Sequence, residues 1–525
     1  MNIVLKDPKK IKNVIVTTEY FSLDEFMAVV RYGAKVEFGE DMIAAVKEGR
    51  RRIDKYLEEG RIYYGVTTGF GENVRFTVDP KDARQLQKNI VRSHSVSVGI
   101  PLDKERVRAL MMTELLIHKK SWTGIALETL ELIREFLNRD LYPFVAGEGS
   151  MGGLGLEGHL AMCLIGEGEF WVDGKRVPAA QVLKQEGLEP RVLEAKEGLS
   201  LLNGCVSAVA TSVPPLYDCY LAMKNADIAS ALSFEALRGT VKTLDERIYL
   251  HKEHRADRAA ASNMRRIVEG SPILEASKDA KVQDAYVLRA AARVHGAGKQ
   301  LVMESYKAIM DELNSCIDNP QIYDNGTPDG ECLMSANFDA TNCGIHVDIL
   351  CMAATIVATN CERTTARIID FHKNDGLPSF LVSKPGLNSG FMIPQYTQAG
   401  LLVDMKCLCV PTTTDSIPVS AGQEDPNPMA FSAPVKAYDC MRKLNYIIAI
   451  EIDTMLQAID FVKENMGLDQ SPVLKAVYDR IRRDVKFMDE DRFLYPDLEY
   501  IYDLVREGTL VDLVEGMVGT LNFEE

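Results

Sequence analysis

The stretch Lys436–Met466, KAYDCMRKLNYIIAIEIDTMLQAIDFVKENM, carries apolar residues at helical spacing over its whole length. Working outward, the same spacing runs through Thr341–Asp370, Ala291–Cys316, Ile125–Arg139 and Lys104–Lys119, KERVRALMMTELLIHK. Runs of this length predict a mainly α protein and suit a long helical bundle with a smaller mixed N-terminal region. Strand signals are few and short: Ile3–Leu5, Val14–Thr17, Lys35–Phe38 and the hairpin-like EFWVDGKRV, whose Asp173-Gly174 is a turn dipeptide. The expected division is an N-terminal region over residues 1–200 and a central bundle with C-terminal helices over 201–525. The Glu-rich stretch Leu188–Gly198 reads as a loop or a solvated helix.

Composition narrows the function classes. The chain has 525 residues, 46% of them hydrophobic, so it can bury a large core. A formal net charge of -16 argues against a nucleic-acid surface. MNIVLKDPKKIKNVIV has no uninterrupted apolar core or small-residue cleavage site, and no stretch of membrane-spanning length stays free of polar groups, which predicts a cytoplasmic protein with no membrane partner. The 11 cysteines lack the spacing of a disulfide framework, and Cys163, Cys351, Cys361 and Cys440 lie inside apolar helical stretches as reduced core thiols. His251/His254 and Cys407/Cys409 lack a zinc-site pattern, so no metal is expected.

Several polar, non-periodic segments interrupt the helices. RIYYGVTTGFGENV (Arg61–Val74) reads as a mobile loop presenting Tyr64, or as a surface turn with a buried aromatic. QDAYVLR enters a long helix with Gln283, Tyr286 and Arg289 three apart on one face. MSANF places Asn337 beside Phe338, and DSIPVSAGQED (Asp415–Asp425) is irregular and polar. Glu148–His159, EGSMGGLGLEGH, has five glycines and one serine. It carries no GxxxxGK[ST] phosphate loop, although its backbone N–H groups at a helix start can face an anion.

In this order, YGVTTGFG, RSHSVSVG, LLNG (Leu201–Gly204), QDAYVLR, DNP (Asp318–Pro320), SANF and DSIPVSAGQED resemble the motifs of the aromatic amino acid ammonia-lyase superfamily. The resemblance spans about Tyr64 to Asp425. Ser93-His94 and Gln423-Glu424 lean toward its histidine type. It implies a mainly helical fold, a long antiparallel helical bundle at its centre, and a homotetramer with active sites shared among subunits. Tyr64 is then the base facing the substrate β-carbon, with Tyr286 and Glu424 completing the catalytic set. Arg289 clamps a carboxylate, a role its planar fork suits better than a lysine. His94, Asn203, Gln283, Asn337 and Phe338 line the substrate.

The glycine turn departs from the family. Members carry GSxGASGDLAPLAH, whose Ala-Ser-Gly cyclises and dehydrates to a methylidene-imidazolone. Matching GSMG (Gly149–Gly152) to GSxG and setting His159 on the family histidine leaves the spacing three residues short, by the tripeptide itself. Matching Gly153-Leu154-Gly155 to it instead puts Leu154 where a serine must dehydrate. Cyclisation could proceed only through Gly149-Ser150-Met151, where methionine crowds the close approach that glycine allows. The expectation is no cofactor and a lyase-type enzyme doing acid/base elimination, addition, isomerisation or cyclisation on a small carboxylate or amino-acid-like substrate. Two alternatives remain: an ammonia-lyase with an atypical cofactor at Ser150, and a non-catalytic ligand-binding relative. His159 reads as a buried structural histidine.

Overall fold

The computed structural model describes residues 3–525. Helices take up 58% of the residues and strands 7%, so the protein is mainly α as the apolar periodicity requires. Four long helices form the centre: Val206–Ala236, Ala291–Leu313, Thr341–Ile368 and Ser432–Met466. The first packs on the last, the last on Thr341–Ile368, and that helix in turn on Ala291–Leu313. Every residue of Val206–Ala236 is buried, which makes it the axial helix of the bundle. A continuous apolar core runs from Ile3 to Phe523.

The Thr341–Ile368 helix is long and apolar enough to cross a membrane by length and composition alone. It is a core helix here, with 61% of its most apolar window buried against its neighbours. All 11 cysteines are free, and only Cys407 and Cys409 lie outside the buried interior.

The strands are short and peripheral. Asn13–Val16 pairs in parallel with Lys35–Phe38, and Glu169–Val172 forms the expected hairpin with Lys175–Pro178. Ile3–Leu5 is not a strand. It has no strand to pair with, and Ile3 is buried instead near Tyr220, whose hydroxyl donates to its carbonyl at 3.4 Å. A further hairpin, Gln321–Tyr323 with Glu331–Leu333, lies within the helical half.

Two polar segments differ from their sequence reading. Leu188–Gly198 is not solvated at its end: Lys196 and Glu197 are fully buried. The Lys196 ammonium pairs with Asp318 and donates to Ser200, while Glu197 accepts from Thr129 Oγ1 at 2.6 Å and from the Ala126 N–H at 3.1 Å. In QDAYVLR the helix starts only at Tyr286, spans Tyr286–Arg289 and breaks at Ala290 before the long helix, so Gln283 lies outside it. Asp284 explains the late start, because its buried carboxylate accepts from the Thr240 N–H at 2.6 Å and holds the chain out of helix.

Candidate active site

The Tyr64 loop is held by its own threonines. Tyr63 N–H donates to Thr67 Oγ1 at 3.0 Å and Gly65 N–H to Thr68 Oγ1 at 3.1 Å, with both threonines buried. Gln87, fully buried on the Ala83–His94 helix, donates to the Gly65 carbonyl at 3.0 Å and accepts from the Leu199 N–H at 2.9 Å. That one amide joins the Tyr64 loop, the His94 helix and the segment leading to Asn203. The loop is therefore a fastened structure rather than a loose surface turn.

Tyr64 is half-buried, its ring edge-on to Phe70 at 6.2 Å, and its phenol oxygen accepts from the Gly71 N–H at 2.8 Å. Burial raises its pKa above the ordinary phenol value; the Gly71 N–H works against that rise and the charge of Glu424 adds to it. Alone in this chain, Tyr64 is a phenol at neutral pH. His94, at the C-terminal end of its helix, has Nδ1 2.9 Å from the Ile90 carbonyl and 2.9 Å from Ser93 Oγ. The carbonyl can only accept, so Nδ1 carries the proton and Nε2 is the free nitrogen. Burial lowers the His94 pKa, against the raising influence of that carbonyl and of Glu424.

The negative charge of Glu424 is thus felt at both Tyr64 and His94. Glu424 sits on a loop closed by the Val419 N–H donating to its carbonyl at 2.9 Å, and by Asn427 Nδ2 donating to the same oxygen at 3.0 Å. This loop meets the Tyr64 loop directly: a Cβ on Gly71 would stand 2.5 Å from Ser420 Oγ. Asn427 and Gln87 escaped the sequence reading because their partners are backbone groups, which leave no spacing pattern.

The glycine turn lies between two of the motif segments and the stretch that follows DSIPVSAGQED. A Cβ on Gly153 would stand 2.1 Å from the Gly204 carbonyl oxygen, and one on Gly158 would stand 2.9 Å from that of His94. Only glycine permits both approaches. On the third side the Ala430 N–H donates to the Met151 carbonyl at 3.0 Å. Ser150 Oγ is turned inward, 3.2 Å from the Leu154 carbonyl, and accepts from the Gly152 N–H at 3.3 Å. His159 stacks edge-on to Phe144 at 6.0 Å, and burial lowers its pKa.

Asn203, Asn337 and Phe338 belong to an adjoining wall. Asn203 Nδ2 donates to the Asn319 carbonyl, Asn319 Oδ1 accepts from the Ser335 N–H at 2.7 Å, and Asn337 Nδ2 donates to Gln321 Oε1 at 3.1 Å. LLNG, DNP and SANF are thereby laced together, with Asn337 exposed and Phe338 half-buried.

Gln283, Tyr286 and Arg289 stand apart. All three are exposed; Arg289 donates to Gln283 Oε1 at 2.9 Å and its guanidinium lies 5.5 Å from the Tyr286 ring centre. Among the described residues no hydrogen bond joins them to Tyr64, Asn203 or Glu424, and Arg289 has no carboxylate partner. The result is a guanidinium fork open to an outside anion. Among the described residues, no group of three His, Cys, Asp or Glu side chains could hold a metal ion.

Comparison with known proteins agrees with this geometry. The aromatic amino acid lyase family model matches residues 21–483. Histidine ammonia-lyase from Alkaliphilus oremlandii is 35% identical over 510 residues, covering 97% of this chain and 99% of the relative. The solved structure of tyrosine aminomutase from Streptomyces globisporus superposes with a TM-score of 0.90 at 30% identity, covering 96% of this chain and 98% of the other. That of the ergothioneine-degrading enzyme ergothionase from Treponema denticola, in complex with desmethyl-ergothioneine sulfonic acid, gives 0.86 at 25% identity, covering 95% and 100%. The family model over residues 21–483 and the relatives matched over nearly the whole helical bundle place this chain in the aromatic amino acid lyase family as a lyase.

Proposed function

We propose that this lyase works without a methylidene-imidazolone and performs acid/base elimination on a small amino-acid-like carboxylate. The observation that carries the reading is the glycine turn. Between Gly149 and His159 the only serine is Ser150, flanked by Gly149 and Met151. Its hydroxyl is tied back onto the turn, and Gly153 leaves no room for a side chain against Gly204. These residues do not fit the family's cofactor, and no step is routed through it.

Chemistry then limits the substrate. A β-proton beside an ordinary α-ammonium is weakly acidic, and ammonia leaves poorly without covalent help. A substrate must bring its own electron sink, such as an imidazolium ring, or a better leaving group. A quaternary ammonium suits the second need, because it stays cationic at every pH and departs as a neutral amine. The likeness to an ergothioneine-degrading enzyme supports this choice, so trimethylated amino-acid betaines are the first substrates to assay beside histidine.

In this reading Tyr64 takes the β-proton and Arg289 grips the carboxylate, with Tyr286, Gln283 and Asn203 as polar partners for developing charge. Glu424 and His94 face the amine and the side chain, while Asn337 and Phe338 close the wall. Because Tyr64 and Arg289 are apart in one chain, a second copy has to bring its Gln283, Tyr286 and Arg289 over the first copy's Tyr64. A homotetramer with shared sites, in the cytoplasm, is part of the proposal. A cation brought by that copy or by the substrate would also lower the Tyr64 pKa toward a working base.

A second reading is favoured by the 35% identity to a histidine ammonia-lyase: an atypical electrophile formed at Ser150. Intact mass separates the two. The proposal expects the mass of the unmodified sequence, whereas a deficit of two waters restores the ammonia-lyase reading. Y64F should abolish turnover of whichever substrate is found, and undiminished activity would sink the acid/base assignment.

A further inference from the structure

Beneath the glycine turn the protein buries more carboxyls than cations. Glu157, in the first turn of the Leu156–Leu164 helix, is fully buried; one oxygen accepts from the Ser207 N–H at 2.6 Å and the other has no partner. Ser207 lies in the first turn of the Val206–Ala236 helix, directly after LLNG. Glu114, on the Lys104–Ile117 helix, is also fully buried. It has one oxygen 3.2 Å from His118 Nε2 and the other unpartnered.

The groups around them offer little charge relief. Glu312 reaches in from the Ala291–Leu313 helix, 3.8 Å from Cys205 Sγ, and burial pushes it up to about 7. Asp318 adds another carboxylate, and Lys196, the cation of the set, is already engaged by Asp318 and Ser200. His118, pushed down to about 3 by burial, is neutral. An ionised carboxylate in such a place costs far more than the proton that neutralises it. Burial raises both Glu114 and Glu157; the Asp318 charge adds to the rise at Glu114, while hydrogen bonds from Ser207 and the backbone work against it at Glu157.

We infer that Glu157 and Glu114 form a protonated carboxyl floor under the glycine turn, and that Glu157 is a positioning residue tying the Leu156–Leu164 helix to the segment after Asn203. As a neutral acid it offers Ser207 a carbonyl oxygen at no cost in buried charge. The link fixes the two segments that carry Ser150 and Asn203. It stands apart from the reaction proposed above, because its test needs no substrate.

The test melts the full-length protein beside E157Q, E157L and E114Q, from mildly acidic to mildly alkaline buffer. A carboxyl whose folded pKa lies above its unfolded one holds an extra proton in the folded state. Its stabilisation is full below the unfolded value and is lost as pH rises through the folded one. E157Q keeps the acceptor for Ser207 and cannot ionise, so it should melt with the wild type at the acid end and progressively above it toward alkali. E114Q should show the same widening gap. E157L lacks the acceptor and should melt below E157Q throughout. A gap between E157Q and wild type that does not change with pH, or an E157L that matches E157Q everywhere, overturns the inference. Should E157L fail to fold, the E157Q comparison is read with the infrared carbonyl band of a protonated carboxylic acid. The band should be present in the wild type at neutral pH and weaker in the E114Q/E157Q double variant; equal bands also overturn it.

Discussion

Glu424 stands close enough to Tyr64 for its negative charge to oppose ionisation of the phenol, across the junction where Gly71 meets Ser420. Removing that charge should make Tyr64 the stronger acid. E424Q is expected to lower the Tyr64 pKa, while burial, the larger cause of its rise, remains. Tyrosinate absorbance, taken as the difference between E424Q and E424Q/Y64F, reads it directly. An unmoved titration would mean that the two side chains do not sense each other.

Arg289 presents a planar fork without a carboxylate partner among the described residues. Replacing it by lysine retains the charge and removes the paired geometry. R289K should weaken binding of a small carboxylate by about 1.5–3 kcal/mol, on the order of ten- to a hundred-fold. Calorimetry with a non-reacting substrate analogue checks it.

Gln87 bridges the Gly65 carbonyl and the Leu199 N–H inside the protein. Q87A leaves both backbone groups buried and unpaired, at a cost of about 1–3 kcal/mol each. The expected sign is faster proteolytic nicking within residues 61–76, with the central bundle intact. Q87E keeps only the acceptor and should fall between the two.

Lys196 is the buried counter-charge of Asp318. K196M strands that carboxylate and should destabilise the protein by about 3–5 kcal/mol, whereas the double variant K196M/D318L should recover much of the loss. Denaturant midpoints of the three proteins, compared at equal slope, decide the point.

These predictions show where the sequence was legible. The Ser432–Met466 and Thr341–Ile368 helices could be read to within a few residues, because apolar spacing is a local property and both helices bury most of their residues. Leu188–Gly198 is largely the loop its composition suggested, and only the burial of Lys196 and Glu197 at its end was not legible, because both look solvated in sequence. Their partners, Asp318 and Thr129, lie far along the chain and cancel the cost of burying them. Tyr64 and His94 both feel the charge of Glu424, and the three lie on three separate motif segments. Arg289 and Tyr286 stay exposed beside Gln283, since motif order carries no information on the distance between segments. Gln87 and Glu157 gave no signal at all: one bonds only to backbone, and the other reads as an ordinary charge at a helix start.

The fit of Gly153 against Gly204 has a consequence for how this turn can change. With the Gly204 oxygen only 2.1 Å from where a Cβ would sit, side chains cannot be exchanged there one at a time. A longer turn would have to lift away from the LLNG wall as a unit, drawing Met151 from Ala430 and His94 from Gly158 with it. Single substitutions at this place therefore lead into a clash rather than toward a different turn. Any redesign of the catalytic surface has to transplant the turn and its three walls together.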